Sequence, residues 1–213
     1  MAEIIALLPD YPGIACKYEL SANPFFVPIV KEALGKIAES ATGAKLLDLI
    51  AKAAPRHRAD FPPSVNVMVV PQSMTFVQSG HKAAYYSGGG MNKTLMPSVD
   101  PRHKAPEGCM FYKVGGSQNA AKDPASSTLK GQGTVCTMYF TNVEVITSKG
   151  ETARPYIVLA HELIHSYHCL YGIKKEGKDE ELCTTGIDGF EDQEITENKI
   201  RTELKVQKRL AYF

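Results

Sequence analysis

Apolar residues recur at different spacings along the chain, and each spacing predicts a different element. Within residues 1–23 no spacing persists, because Pro9 and Pro12 interrupt it, so this stretch is expected to be irregular. Ile29, Val30, Ala33, Leu34, Ile37 and Ala38 then fall on one face of a helical period, with Pro28 in a first turn that needs no N–H there. Gly43 breaks the pattern. Leu46, Leu47, Leu49 and Ile50 begin a second helix that Pro55 stops. From Val65 the pattern changes. Residues 65–70 are a β-branched run bounded by Pro63 and Pro71, which predicts a strand. Residues 74–77, 83–86, 109–114 and 134–147 are further strand candidates. Gly88, Gly89 and Gly90 form a turn, and residues 115–133, rich in glycine and small polar residues, form a long loop. Helical spacing returns after Pro155 with Ile157, Val158, Leu159, Leu163, Ile164 and Leu170, closed by Gly172. Residues 178–182 begin another helix, and residues 196–208 make a last one with Thr196 as its cap. Helices, then strands, then helices again predict an α+β fold: N-terminal helices backing a twisted, mostly antiparallel sheet, with C-terminal helices, in a single domain over 1–213.

Composition narrows the function. The chain has 213 residues, 44% hydrophobic and 22% charged, enough to bury a core. A formal charge of +1 gives no excess of Lys and Arg for a nucleic-acid duplex, so no nucleic-acid partner is expected. No apolar run approaches the roughly 18 residues of a membrane span. The apolar stretch from Ile4 to Leu8 is too short for a signal-peptide core, and Glu3 stands where a basic region belongs, so no Sec-type export is expected. The five cysteines, Cys16, Cys109, Cys136, Cys169 and Cys183, are odd in number and form no C-x-x-C pair, which predicts free thiols. A monomer is expected.

The chemistry concentrates in His161-Glu162-Leu163-Ile164-His165, an H-E-x-x-H motif inside the helical segment. Four residues turn a helix by about 400° and advance it by about 6 Å, so both imidazoles project to one side. Two neutral imidazoles meeting at one point are two Zn²⁺ ligands. Glu162 lies beside them and can take a proton from a water at the metal. With only six histidines in the chain, chance placement of this motif is rare. His168 lies one turn further along the same stripe and is expected to point away from the metal. His57, His81 and His103 are isolated and receive no role.

A catalytic zinc usually takes a third protein ligand. The residue six after His165 is Tyr171, which leaves carboxylates: Glu180, Glu181, Asp188, Glu191, Asp192, Glu194 and Glu197. Spacing favours the first pair, because a helix returning from the turn at residues 172–177 regains the height of the histidines near Glu181.

These residues carry a resemblance. The run H-E-L-I-H-S-Y-H-C-L-Y-G-I from His161 to Ile173 resembles the zinc helix of clostridial neurotoxin light chains. Glu180-Glu181-Leu182-Cys183-Thr184-Thr185-Gly186 is similar to their E-E-L-x-T-x-G segment, which implies Glu181 as third zinc ligand. Glu197, followed by Arg209 and Tyr212 as R-x-x-Y, resembles a light-chain pattern in which a Glu orients an Arg, and the Arg and Tyr stabilise the tetrahedral intermediate. In size, and in the I-T-E-N-x-x-R-x-E run from Ile195 to Glu203, the chain is closer to the NleD-type zinc metalloproteases. These are small effectors that Gram-negative bacteria inject through type III secretion systems. The resemblance covers about residues 155–213. It implies a zincin (gluzincin-like) fold with one Zn²⁺ per chain, delivery into the host cytoplasm, and a host protein substrate of the mitogen-activated protein kinase class. Tyr212 offers a phenolic donor, Arg209 a fixed cation, and Glu197 a carboxylate able to hold the Arg209 guanidinium. The rival expectation is a latent zincin-fold protein that acts by docking to a partner.

Overall fold

Isoleucine and alanine flank the prolines of residues 9–12, and in the computed structural model of the chain these flanks pair as an antiparallel hairpin. Strand β1 (Glu3–Leu7) runs against β2 (Gly13–Glu19), with Glu3 opposite Glu19 and Leu7 opposite Ala15. The expectation of an irregular N-terminus is thus corrected. The two prolines sit in the turn, where Tyr11 N–H bonds to the Leu8 carbonyl at 2.9 Å, and leave both strands whole. The structure describes residues 3–55, 61–71, 74–79, 82–87, 96–97, 112–113, 118–121, 124–140, 142, 145–146 and 152–211.

After the hairpin come α1 (Phe26–Ala38) and α2 (Ala41–Lys52), then β3 (Val65–Pro71), β4 (Met74–Ser79), β5 (Lys82–Ser87), β6 (Met96–Pro97), β7 (Tyr112–Lys113) and β8 (Gln118–Ala121). A short α3 (Pro124–Ser127) precedes β9 (Cys136–Phe140), β10 (Val145–Ile146) and β11 (Thr152–Ala153). Three helices close the order: α4 (Pro155–Tyr171), α5 (Gly177–Thr185) and α6 (Glu197–Glu203). Residues 115–133, expected to be a loop, therefore contain β8 and α3. The Gly88–Gly90 turn, Cys109, Tyr212 and the three isolated histidines lie outside the described residues.

The main sheet has five strands in the order β1-β2-β3-β9-β8. Its outer pairs are antiparallel, as are the β4–β5, β6–β7 and β10–β11 ladders. Strand pairing is thus mostly antiparallel among the described residues, as expected, but the sheet's central pairs, β2–β3 and β3–β9, are parallel. The reason is the path of the chain. Helices α1 and α2 form a crossover between β2 and β3, and a crossover is what parallel neighbours require.

The core lies between this sheet and the helices. Val30, Leu34 and Ile37 of α1 and Leu46 and Ile50 of α2 meet Val67 and Val69 of β3, Met138 and Phe140 of β9, and Ile157, Leu159, Leu163 and Ile164 of α4. Each such side chain contributes about 1.5–3 kcal/mol on full burial. Helix α4 lies against α1, α2, α6, β8 and β9, so it is buried on nearly every face and its polar residues sit inside the protein. It starts at Pro155 and ends at Gly172, whose φ of 66° and a Cβ that would stand 2.0 Å from the Leu129 carbonyl oxygen leave room only for glycine. Gly43, expected to break a helix, lies in the first turn of α2. There Ser40 caps its N–H at 2.9 Å, and a side chain would strike the Ile37 carbonyl.

Candidate active site

Helix α4 presents His161 and His165 on one side, as the four-residue spacing requires, with ring centroids 4.7 Å apart and planes at 84°. Their Nε2 atoms lie 3.1 Å from each other. Glu181 of α5 completes a triangle, its Oε2 at 3.2 Å from His161 Nε2 and 3.3 Å from His165 Nε2. A tetrahedron of donors about 2.0–2.1 Å from a central ion has edges of about 3.3 Å, so these three atoms fit one face of such a centre. A centre held by these three donors would keep its fourth position for solvent or substrate. Glu162, buried beside the histidines, belongs to neither group of donors able to share an ion among the described residues.

The far nitrogens of both rings are held by carboxylates. His161 Nδ1 meets Glu197 Oε2 at 2.7 Å, and His165 Nδ1 meets Glu180 Oε1 at 2.7 Å. An ionised carboxylate only accepts, so each Nδ1 carries a proton, and in the neutral imidazole the Nε2 lone pair faces the triangle. The adjacent Glu180 and Glu181 therefore do different things, because neighbours on a helix point about 100° apart. Glu180 also takes His168 Nδ1 at 2.8 Å and accepts from the Lys175 N–H at 2.8 Å. His168 points away from the triangle, as expected, and braces Glu180. The second donor group, His165, His168 and Glu180, is this same brace.

Glu197 is 1% exposed, in the first turn of α6 below its Thr196 cap. Its other oxygen, Oε1, accepts from Arg201 Nε at 2.5 Å. Arg201 is fully buried and had no role in the sequence reading. Its signal was present: Glu197 and Arg201 are four apart on a helix, the spacing of an ion pair. Arg209 Nη1 stands 3.6 Å from Glu197 Oε2, so Arg209 does reach Glu197, but Arg201 holds the closer contact. Helix α6 ends at Glu203, and residues 204–211 are irregular. The expectation of a helix to residue 208 is thus corrected. The other carboxylates weighed as ligands lie elsewhere. Glu194 is exposed and pairs with Lys45, and Asp188, Glu191 and Asp192 are exposed.

Burial and charge pull the ionisable groups apart. Burial pushes the Glu162 carboxyl up to about 7, against the pull of His165 and His161. Burial also works to raise Glu197, but its bond to His161 and the Arg201 and Arg209 charges hold it down at about 2. Glu180 is held at about 2 by His165 and His168, and Glu181 is strongly depressed by His161 and His165. The reverse side of these bonds raises His161, and lifts His165 to about 10. Glu197 thus meets the guanidiniums of Arg201 and Arg209, while Glu180 and Glu181 meet the imidazoles.

No curated protein matches the chain. Among solved structures the chain is similar to the botulinum neurotoxin type G light chain, at 15% identity and a TM-score of 0.50, over 91% of this chain and 54% of that one. It is also similar to the type D light chain, at 15% identity and a TM-score of 0.45 over 84% and 48% of the two chains. The catalytic domain of Clostridium botulinum neurotoxin serotype F gives 19% identity and a TM-score of 0.43, over 84% and 46%. The chain spans about half the length of these light chains, and the type G likeness is one of fold. Residues 15–212, nearly the whole chain, match the family model Peptidase M91, described as effector protein, and the chain belongs to that family.

Proposed function

We propose that the chain is a zinc-dependent endopeptidase, a bacterial effector that works in the host cytoplasm on a host signalling protein. The observation that carries this reading is the triangle of His161 Nε2, His165 Nε2 and Glu181 Oε2, with each imidazole fixed from behind by a carboxylate. One such triangle takes one Zn²⁺ per chain, acting as a monomer. Zinc bound there supplies a Lewis acid for the scissile carbonyl and makes water more acidic.

The remaining work falls to this chain's residues. Glu162, whose burial suits it to exchange protons near neutrality, takes the proton of the attacking water and passes it to the leaving amine. Glu197 and Glu180 keep the imidazoles in one tautomer. Arg209, tied to Glu197, and Tyr212, three residues on, stabilise the negative charge on the carbonyl oxygen. Strand β8 pairs only with β9 among the described strands and lies against α4, so its free edge offers backbone groups to an extended substrate. The NleD-type resemblance makes mitogen-activated protein kinases the first substrates to try.

The test pairs metal analysis with a map of new N-termini in host-cell lysate. Wild type and Glu162→Gln should each hold one zinc, and His165→Ala should hold none. Cleavage by Glu162→Gln should fall about 10²–10⁴-fold. Zinc that never binds, or a Glu162→Gln variant as active as wild type, would overturn the reading. A docking protein would hold zinc and cleave nothing.

A further inference from the structure

The segment after α6 belongs to no helix or strand, yet it brings Arg209 to Glu197. Side chains of α6 hold it there. Buried Arg201 donates from Nη1 to the Gln207 carbonyl at 2.9 Å. Two residues further along, Asn198 takes Arg209 by both main-chain groups. Its Oδ1 accepts from the Arg209 N–H at 2.7 Å, and its Nδ2 donates to the Arg209 carbonyl at 2.8 Å. This is the two-point pairing that one strand residue gives another, supplied by a primary amide. Asn198 is 8% exposed, so water has little access to replace it. Aspartate has the length but no donor, and leucine has neither group. The Arg209 side chain is then tied twice more, by Nε to the Ala211 carbonyl at 3.2 Å and by Nη1 to Glu197. A long flexible cation is thus fixed first at its root.

We propose that Asn198 is a positioning residue for turnover: by gripping the Arg209 backbone it sets where the guanidinium stands over the reacting carbonyl. The proposal rests on the protease reading above. It assigns work to the asparagine of the I-T-E-N-x-x-R-x-E run, which the mechanism does not otherwise use.

The experiment uses the zinc-loaded full chain as wild type, Asn198→Ala, Arg209→Ala and the double variant. The probe is a peptide spanning the strongest Glu162-dependent cleavage site in the lysate map. Asn198→Ala should lower kcat about 10–100-fold, the scale of a misplaced catalytic group, with KM nearly unchanged. On the Arg209→Ala background the same change should cost less than about 2-fold, because Asn198 acts through Arg209. Asn198→Asp, which keeps only the acceptor, should fall between wild type and alanine. Hydrogen exchange supplies a readout that needs no turnover: the Arg209 amide should be protected in wild type and exposed in Asn198→Ala, with α4 unchanged. An unaltered kcat in Asn198→Ala, an equal loss with and without the Arg209 side chain, or an unprotected Arg209 amide in wild type would each overturn the proposal. If cleavage depends on Glu162 but not on Asn198, only this proposal falls. Glu162-independent cleavage would instead remove the reading beneath it.

Discussion

Glu180 and Glu181 are consecutive residues of the same type, and their environments separate them. Glu181 points into the triangle with the two Nε2 atoms, while Glu180 lies behind His165. Glu181→Gln should lose most zinc affinity, because a neutral amide is a poor ligand. Glu180→Gln and Glu197→Gln should each weaken zinc by about 10–100-fold, the usual effect of removing a partner behind a ligand. Competition titration against a chelating dye checks the order, and equal affinity for wild type and Glu181→Gln would move the third ligand elsewhere. The spacing argument favoured this pair in the sequence, but only the resemblance separated its members, because height along a helix does not report direction around it. Arg201 escaped for a related reason. A buried arginine reads like any solvated one until its partner's burial is known. Cys16 gives a titration at the same scale. Burial pushes its thiol up to about 12 from 9.0. The unfolded chain then loses the proton first as pH rises, so the stabilisation present below pH 9 should fade between pH 9 and pH 12. Chemical denaturation across that range should show a downward slope that Cys16→Ala reduces.

Helices and strands were legible where one period ran uninterrupted. Helix α4 was, with Pro155 and Gly172 at its ends. The β1–β2 hairpin was not, because its strands are short and the prolines of the turn drew attention away from their flanks. The end of α6 was hidden for a sharper reason. Lys205 takes a φ of 55°, the conformation that glycine usually marks. The stop is closed instead by Val206 N–H on the Arg201 carbonyl at 2.8 Å and by the Arg201 guanidinium on Gln207. A buried arginine stands in for the usual glycine, and its burial depends on packing that the pattern of residues 196–208 does not report. Another long-range tie makes a prediction for elements. Glu203 looks like a surface residue, but its carboxylate accepts from Thr42 N–H at 2.8 Å and Thr42 Oγ1 at 2.7 Å, at the start of α2. It thereby caps a helix 161 residues away. Glu203→Ala should cost about 1 kcal/mol, the value of a lost cap. In a chain of this size that lowers Tm by about 2–4 °C, measured by calorimetry.

At the scale of the molecule, α4, α5 and α6 come from separate stretches, and each supplies side chains to the site. Zinc held by α4 and α5, with α6 bonded to His161, should therefore act as a staple for the fold. A ligand present at about 1,000 times its Kd adds about 4 kcal/mol of stability. Chelation should thus lower Tm by about 10 °C at the same sensitivity. A chelated protein melting at the holo temperature would contradict this. The three proposed ligands do not share one exposure to water. His161 and His165 side chains are 8% and 7% exposed, whereas Glu181 is 29% exposed. Glu181 is thus the door of the centre as well as one of its walls. An arriving ion would meet the carboxylate before the imidazoles, and a departing ion would leave it last. The rate at which such a centre exchanges metal would then depend on α5, through how often one side chain swings, while α4 supplies the two buried ligands.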